Sequence, residues 1–323
     1  MKIIALEEHF LTQALREATA DHPVSRLYEE TIPHFIGPLL DLGDRRLADM
    51  DAAGIDVQVL SHTVPGPESL PADAAVRLSV VANDALAQAV AAHPDRFAGF
   101  AALPMTDPRA AARELDRAVT DLGFVGAMIN GHVGGRYLDD EFFWPVFEAA
   151  QNLGVPVYLH PTRPPEPVFE ASYAGFTPVV SEILANAAWG WHIDTGLHVL
   201  RLILGGVFDR FPNLQIIIGH MGEALPSMIW RANSVLNAVA GLDRPVVDYF
   251  TDNLYVTTSG LFDYAPFAAA LHALGTDRIL FSVDYPFSGN TAAREFLDRL
   301  PLSRPDKEKI AHINTEKLLR LGK

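Results

Sequence analysis

The sequence predicts a (β/α)8 barrel of the TIM type, an α/β fold, with insertions over the C-terminal face of the barrel. The chain has 323 residues, which suits a barrel of about 250 residues that carries insertions. Short apolar or β-branched segments alternate with longer helical patterns, as βαβ units require. Polar residues cluster where several apolar segments end, which is where barrel enzymes place their sites.

Eight segments have the length and composition of buried strands. In chain order they are Ile3–Glu7, Asp56–Ser61, Phe97–Leu103, Val125–Ile129, Pro156–His160, Leu214–Gly219, Leu254–Thr258 and Arg278–Val283. Helical periodicity extends between them over Arg45–Ala53, Ala74–His93, Pro108–Leu122, Phe142–Leu153, Gly222–Ala240 and Tyr264–Leu274. Asp107 followed by Pro108 is typical of a helix N-cap with a proline in the first turn.

Two segments exceed a minimal barrel, at about residues 11–43 and 162–207. Both follow predicted strands, so we expect them over the C-terminal face as a lid or a pocket wall. The last segment, Ser303–Lys323, is predicted to be a final helix. The sequence contains no linker and no internal repeat, and residues 1–323 are therefore predicted to form a single domain.

The composition excludes several classes of function. The formal charge is −15 and the isoelectric point about 5.1, and a surface of that sign repels nucleic acid. The chain has no cysteine, which removes disulfides and thiolate chemistry. No apolar run approaches the ~20 residues of a membrane span, and the N-terminus does not resemble a signal peptide, so a cytoplasmic protein is expected. Schiff-base and P-loop chemistry would need a central lysine, but the lysines are Lys2, Lys307, Lys309, Lys317 and Lys323.

Five polar side chains lie at the ends of four predicted strands, namely Glu7, His9, His160, His220 and Asp284. Glu7 and His9 are two residues apart and therefore share one face of their strand. In a barrel all five project from the same end, and carboxylates and imidazoles are ligands for Zn²⁺ or Mn²⁺. A single strand-end histidine is more often hydrogen-bonded to a loop, and Asp284 alone is compatible with an N-cap. The conjunction favours a metal site, because unpaired buried charge is costly.

Six motifs are spread over nearly the whole chain: Ala5-Leu-Glu-Glu-His-Phe10, Arg46–Asp56, His93–Phe97, Tyr158-Leu-His-Pro161, Gly219-His-Met-Gly-Glu223 and Ser282–Phe287. Together they resemble the amidohydrolase superfamily, and more narrowly the family of aminocarboxymuconate-semialdehyde decarboxylase and the hydroxybenzoate decarboxylases, closest to the γ-resorcylate type. Glu7-x-His9 replaces the His-x-His of the superfamily's hydrolases. Gly126–Asn130 stands where a bridging lysine would be, so a binuclear site is not expected.

The resemblance implies roles for individual residues. It implies one divalent ion, Mn²⁺ or Zn²⁺, and no organic cofactor, with metal ligation by Glu7, His9, His160 and Asp284. It implies that Asp284 is the acid that protonates the substrate, and that His220 with Glu223 forms a supporting acid–base pair. It also implies a homodimer or homotetramer, in which Arg231 reaches the site of a neighbouring subunit.

Substrate contacts are expected from residues near the same end of the barrel. Arg46 matches a family position that can contact a substrate carboxylate, and Asn130 and Phe287 are further candidates for substrate contacts. His62 follows the second strand and is a candidate for pocket lining. His192 either faces a substrate or packs against neighbours, and the sequence leaves both alternatives open.

The function implied by the resemblance is metal-dependent, non-oxidative decarboxylation of an ortho-hydroxybenzoate such as 2,6-dihydroxybenzoate, 2,3-dihydroxybenzoate or salicylate. Such a carbon–carbon lyase would act on a small aromatic carboxylate and would serve the catabolism of aromatic compounds. Its reaction is reversible in principle. Two alternatives remain open from the sequence. One is a mononuclear metal-dependent hydrolase of a lactone or amide, and the other is a non-catalytic binding protein on a barrel scaffold.

Overall fold

The computed structural model describes residues 1–322, so Lys323, predicted at the end of the final helix, lies outside the described residues. Within this range the backbone forms nine strands. They are β1 (Ile4–Phe10), β2 (Val57–His62), β3 (Phe97–Gly99), β4 (Ala101–Ala102), β5 (Ala127–Asn130), β6 (Val157–His160), β7 (Ile216–Ile218), β8 (Leu254–Thr257) and β9 (Ile279–Leu280).

All strand pairs are parallel and join neighbours in sequence. The strands β3 and β4 are separated only by Phe100, whose N–H donates to the Leu60 carbonyl at 2.9 Å, so they act as one barrel strand. A parallel bridge between Leu6 and Ser282 joins the last strand to the first. Eight strand positions therefore close into a ring, and the predicted (β/α)8 barrel is confirmed.

The predicted strands all occur, with shifted ends. The first strand continues to Phe10 instead of ending at Glu7, and its pairing with β2 shifts between Leu6 and Glu8. The last strand is only two residues long, because Ser282 and the residues after it turn toward β1. Within a strand, alternate side chains point inward or outward. Ile4 and Leu6 belong to the inner core of the barrel, while Ile3 and Ala5 face the surrounding helices.

Helices surround the barrel and connect its strands. Their bounds are α1 (Gln13–Ala18), α2 (Pro23–Glu30), α3 (Ile36–Leu40), α4 (Asp44–Ala53), α5 (Ala72–Ala92), α6 (Pro108–Thr120), α7 (Trp144–Leu153), α8 (Glu166–Ser172), α9 (Pro178–Ile183), α10 (Gly190–Leu204), α11 (Val207–Arg210), the short turn α12 (His220–Glu223), α13 (Leu225–Leu236), α14 (Val246–Asn253), α15 (Tyr264–Leu274), α16 (Asn290–Arg299), α17 (Arg304–Glu308) and α18 (Asn314–Leu319).

Local sequence explains several helix ends. Asp107 accepts a hydrogen bond from the Ala110 N–H and Pro108 is the first residue of α6, as predicted. The prediction of one helix over Gly222–Ala240 was wrong at its start, because Met221 to Ala224 adopt positive φ and α13 begins only at Leu225. The predicted final helix is present, with a π-helical segment, Lys309–Ile313, between α17 and α18.

Both insertions cover the C-terminal end of the barrel, as predicted. The first contains α1 to α3 and the second contains α8 to α10 with a π-helical segment, Leu184–Ala188. Side chains from both, including Tyr28 and Trp191, line one cavity over the strand ends. Among residues 1–322, no helix combines the length and the hydropathy that crossing a membrane requires.

Candidate metal centre and active site

Four side chains converge at the C-terminal end of the barrel. Glu7 and His9 come from β1, His160 ends β6, and Asp284 follows β9. One ligand atom from each lies within 4.8 Å of those of the other three. His9 Nε2 is 3.2 Å from Asp284 Oδ1, and His160 Nε2 is 3.4 Å from Glu7 Oε1. The sequence had proposed this set, and the fold brings all four together.

A bulge in β1 aims the first two ligands. Simple alternation from the inward-facing Ile4 and Leu6 would place Glu8 inside the barrel and Glu7 outside. Glu7 instead has a φ of 63°, and the pairing register shifts after Leu6. The extra residue reverses the alternation, so Glu7 and His9 face the site. Glu8 faces away and accepts from the Val283 N–H at 2.9 Å and the Tyr285 N–H at 3.3 Å.

The cluster has the features of a divalent-cation site. Glu7 Oε1 and His9 Nε2 are buried atoms with no hydrogen-bond partner, a costly arrangement unless a ligand completes it. His160 Nδ1 donates to the Pro161 carbonyl at 2.7 Å, so Nε2 keeps its lone pair toward the other three side chains. Outward hydrogen bonds of this kind orient metal-binding imidazoles. The donor set of two nitrogens and two carboxylates suits Mn²⁺ or Zn²⁺.

Burial and neighbouring charges shift the pKa values of these groups. Burial raises the pKa of Glu7, although the imidazoles of His220 and His9 oppose it. Burial also acts to raise the pKa of Asp284, but the neighbouring imidazoles of His220 and His9 outweigh it and hold this pKa below its usual range. Burial lowers the pKa of His160 well below its usual value. The directions of the pKa shifts of Asp284 and His160 favour the ionised carboxylate and the neutral imidazole, which are the forms that bind a cation, whereas the direction for Glu7 favours its protonated form.

His220 and Glu223 form a buried pair beside the cluster. His220 Nδ1 donates to Glu223 Oε1 at 2.7 Å, and His220 Nε2 lies 3.8 Å from Asp284 Oδ2. Burial acts to lower the pKa of His220, but the carboxylates of Glu223 and Glu7 outweigh it and raise this pKa well above its usual value. Both residues have positive φ, 47° and 53°. Strained backbone of this kind is typical of functional sites.

A cavity of about 270 Å³ opens directly onto the cluster. His160, His220 and Asp284 form its floor, and its walls are mostly apolar side chains from the two insertions. Phe287, a predicted substrate contact, lies in this wall, with its ring centroid 5.4 Å from that of Tyr28 and 5.2 Å from that of Phe35. The space accommodates a small flat molecule with one polar edge.

Two predicted substrate contacts are corrected by their burial. Arg46 is fully buried, and its guanidinium donates to the carbonyls of Asp41 and His9 at 2.9 and 2.6 Å. It therefore supports the strand behind His9 and does not line the cavity. His62 is also buried outside the cavity, with Nδ1 2.8 Å from the Thr63 carbonyl. Burial lowers the pKa of His62 to about 4.

Two other residues predicted to contact the substrate also lie outside this cavity. Asn130 lines a separate cavity of about 610 Å³, together with Glu68, because β5 ends one strand position away from the metal cluster. Arg231 is exposed on α13 and does not line the aromatic cavity of its own chain. Its predicted role therefore depends on a neighbouring subunit.

Sequence reasoning missed two groups that hold Glu7. The hydroxyl of Tyr158 donates to Glu7 Oε2, and Thr257 donates to the same oxygen at 3.3 Å. Tyr158 lies two residues before His160, so the two-residue period of β6 was a usable signal. His192, whose role the sequence left open, donates from Nδ1 to Glu223 Oε2 at 2.7 Å.

Comparison with known proteins identifies relatives of the whole chain. A chain from a Polaromonas species, a γ-resorcylate decarboxylase, is 40% identical, with 99% of this chain and 99% of that protein covered. Decarboxylase orsB of Emericella nidulans is also 40% identical, over 99% of this chain and 97% of the relative.

A solved structure gives the same result for the fold. The dihydroxybenzoic acid decarboxylase from Polaromonas, with bound manganese and the inhibitor 2-nitroresorcinol, superimposes with a TM-score of 0.89 at 37% identity. The match covers all of this chain and 98% of that one. The model of the amidohydrolase family matches residues 21–321. Because this family model matches most of the chain, and because relatives align over nearly its full length, the chain belongs to the amidohydrolase family.

Proposed function

We propose that the protein is a metal-dependent, non-oxidative decarboxylase of an ortho-hydroxybenzoate. The observation that carries this proposal is the position of the carboxylate–imidazole cluster at the floor of a small aromatic-walled cavity. An aromatic acid fits both parts, since its ring suits the walls and its carboxylate and ortho oxygen suit a cation. The relatives named above act as decarboxylases, and one binds manganese with a resorcinol analogue.

We propose Glu7, His9, His160 and Asp284 as the metal ligands. The support is their convergence within 4.8 Å and the unpartnered atoms of Glu7 and His9. A divalent ion held by these residues would supply positive charge that attracts the carboxylate and ortho oxygen of the substrate and favours the phenolate form. Tyr158 and Thr257 hold Glu7 in place from the barrel interior.

The reaction exchanges a carboxylate for a proton on the ring. Protonation of the carboxylate-bearing carbon gives a ketone-like ring; the bond to CO₂ then breaks, and its electron pair restores aromaticity. Asp284 is our candidate for the acid. Because its pKa is held low, Asp284 must first take up a proton from the substrate's phenol or from a neighbour. His220, 3.8 Å away, is the neighbour in position to resupply it.

The cavity walls position the ring. Tyr28 and Phe35 both pack against Phe287 in the cavity wall. Trp191 borders the cavity near His160, and the centroids of these two rings are 6.1 Å apart. Aromatic walls favour stacked or edge-on packing with a substrate ring. They also exclude water, which strengthens the electrostatic interactions of the cluster.

We further propose that the enzyme is a homo-oligomer with Arg231 directed toward a neighbouring site. Arg231 lies three residues after Met228 and four before Val235, so the three share one face of α13. The two apolar side chains are 57% and 51% exposed. An exposed apolar face around an arginine is typical of a protein interface. We also propose that the chain is one domain, since one contiguous apolar cluster links β1 to the C-terminal helices.

The test is an activity assay on protein loaded with Mn²⁺ or Zn²⁺. We expect release of CO₂ from at least one of 2,6-dihydroxybenzoate, 2,3-dihydroxybenzoate and salicylate, and loss of turnover in Asp284→Asn. The absence of turnover on all three acids with both metals would contradict the proposal. A parallel lactone panel in ¹⁸O-labelled water identifies a hydrolase, because only hydrolysis incorporates the label into a product acid.

A further inference from the structure

A second cavity lies behind His220, on the side away from the aromatic cavity. Its volume is about 480 Å³. His220 lines both cavities, whereas His192 and Glu223 line only the second. Exposed residues, including Trp189 and Ser227, form part of its wall, so it opens to solvent. The ring of His220 therefore separates a solvent-connected space from the proposed reaction space.

A chain of short hydrogen bonds leads from this cavity to His220. His192 Nδ1 is 2.7 Å from Glu223 Oε2, and Glu223 Oε1 is 2.7 Å from His220 Nδ1. The Glu223 side chain is fully buried, while that of His192 is 17% exposed. Both carboxylate oxygens are thus taken by imidazole groups. This distinguishes the trio from the metal cluster, where Glu7 Oε1 and His9 Nε2 have no partner.

The outer nitrogen of His192 has one donor and one acceptor within reach. The indole N–H of Trp191 lies 3.0 Å from His192 Nε2, and the carbonyl of Ala187 is also 3.0 Å away. Neutral imidazole accepts from the indole, and protonated imidazole donates to the carbonyl. His192 Nε2 therefore has a hydrogen-bond partner in both protonation states. A group that gains and loses a proton in each catalytic cycle needs such partners.

We propose that His192 is a positioning residue that returns protons from solvent to the Glu223–His220 pair. This inference rests on the proposed function. Decarboxylation consumes one proton per ring, since a C–C bond breaks, CO₂ leaves and a C–H bond forms. The replacement proton enters at His192 Nε2. The proton on Nδ1 passes to the Glu223 carboxylate at Oε2. His220, whose Nδ1 keeps its own proton on Glu223 Oε1, releases the proton of Nε2 toward the reaction space. A half-turn of the neutral ring and of the carboxyl group then lets the bare ring nitrogen take the proton that Glu223 received.

The titratable groups that face His192 come from α12, and they are Glu223 and His220, whose ring centroid is 4.6 Å from that of His192. Asp194, on the same helix as His192, turns away and accepts from the Tyr137 hydroxyl at 2.5 Å. Proton exchange at His192 is therefore linked directly to the His220 pair.

The test compares His192→Gln with the intact enzyme and with His272→Gln, which changes an exposed histidine on α15. Glutamine keeps a donor for Glu223 but cannot carry a proton between two nitrogens. We expect a fall in kcat of at least about tenfold with little change in KM, a changed pH profile, and partial recovery with added imidazole. The intact enzyme and the His272 variant should not respond to imidazole. The assays use the protein in its native assembly, because a second subunit packed against α13 would lie beside the second cavity.

A second measurement does not depend on activity. Because the Trp191 indole is bonded to His192, tryptophan fluorescence should show a titration step in the intact protein and in His272→Gln that is absent from His192→Gln and His192→Asn. Unchanged kcat and pH profile in both His192 variants would overturn the proposal, as would the absence of this step from the intact protein. If the intact protein does not decarboxylate any of the acids, the proposed function fails, and the fluorescence result still decides whether His192 exchanges protons with solvent.

Discussion

Glu7 has a φ of 63° in the middle of β1, where an L-residue is normally extended. This one conformation places Glu7 and His9 inside the barrel and Glu8 outside it. The strain is tolerated because Tyr158 and Thr257 hold the Glu7 carboxylate and because two backbone N–H groups hold Glu8. Both neighbouring carboxylates are therefore fixed, one toward the site and one behind it.

The first prediction concerns the charge on Glu7. Glu7→Gln keeps the size of the side chain but removes one anionic ligand, so we expect metal content after gel filtration and kcat to fall by at least about tenfold. Metal analysis and the CO₂ assay measure the two effects. Glu141→Gln, which changes an exposed carboxylate, should leave both unchanged. A Glu7→Gln protein that retained the metal content of the parent would exclude Glu7 as a ligand.

The second prediction concerns acid stability. His198 is buried and accepts from the Leu138 N–H at 2.9 Å, and burial lowers its pKa to about 3. Because this pKa lies below the value of about 6.5 in the unfolded chain, stability is full above pH 6.5 and falls as the pH drops toward 3. The loss from one such group is about 1.4 kcal/mol per pH unit.

Urea unfolding at several pH values between 7 and 4.5 measures this effect. We expect the free energy of unfolding of His198→Asn to decline less steeply on acidification than that of the parent, by about one proton's contribution. His272→Gln should follow the slope of the parent. Equal slopes for all three proteins would show that His198 is not held neutral.

At the scale of elements, β5 and β6 approach closely at the start of β5. Gly126 has a φ of 157°, and a Cβ atom there would lie 2.5 Å from the Pro156 carbonyl oxygen of the neighbouring strand. Since this oxygen belongs to backbone within the barrel, it cannot move aside without disturbing the sheet. The glycine is therefore required by strand packing.

The third prediction follows from this contact. We expect Gly126→Ala to lower the free energy of unfolding by at least about 2 kcal/mol through overpacking. Gly123→Ala is the matched control, because Gly123 also has positive φ, 73°, but has open space around it. It should cost about 1 kcal/mol, from backbone conformation alone. Thermal and urea unfolding give both values, and equal effects would contradict the packing argument.

The two insertions act as elements that enclose the site. Helix α2 supplies Val24 and Tyr28, while Ile183 and Trp191 come from α9 and α10. Their sequences showed that extra chain lies over the strand ends. They did not show which side chains turn inward, because short helices have no long-range periodicity that relates them to the barrel axis.

At the scale of the whole molecule, the fourth prediction concerns assembly. We expect Val235→Glu, on the exposed face of α13, to reduce the oligomer to smaller species in sedimentation velocity, because a buried unpaired charge is costly. Val81→Glu is the matched control, since Val81 is an apolar residue 41% exposed on α5. Arg231→Ala should keep the oligomer and raise KM. A parent protein that sediments as a fully active monomer would contradict the proposed shared site.

The sequence predicted the barrel and the convergence of Glu7, His9, His160 and Asp284 for identifiable reasons. The eight strands were visible because buried parallel strands are short apolar runs, and the cluster was visible because its members directly follow such runs. The substrate contacts were predicted less well. Arg46 and His62 are polar residues near strand ends, but the structure buries them against backbone carbonyls, and local sequence does not distinguish such partners from a ligand.

The sequence by itself therefore determined the fold class, the eight strand positions and the residue types that can bind a cation. The tertiary structure alone decided that β1 bulges at Glu7, that Arg46 lies behind His9, and that His192 meets Glu223. Hydrophobic periodicity depends on neighbours along the chain and can be recognised from them. The direction of a polar side chain depends on partners tens or hundreds of residues away, which only the folded barrel brings into contact.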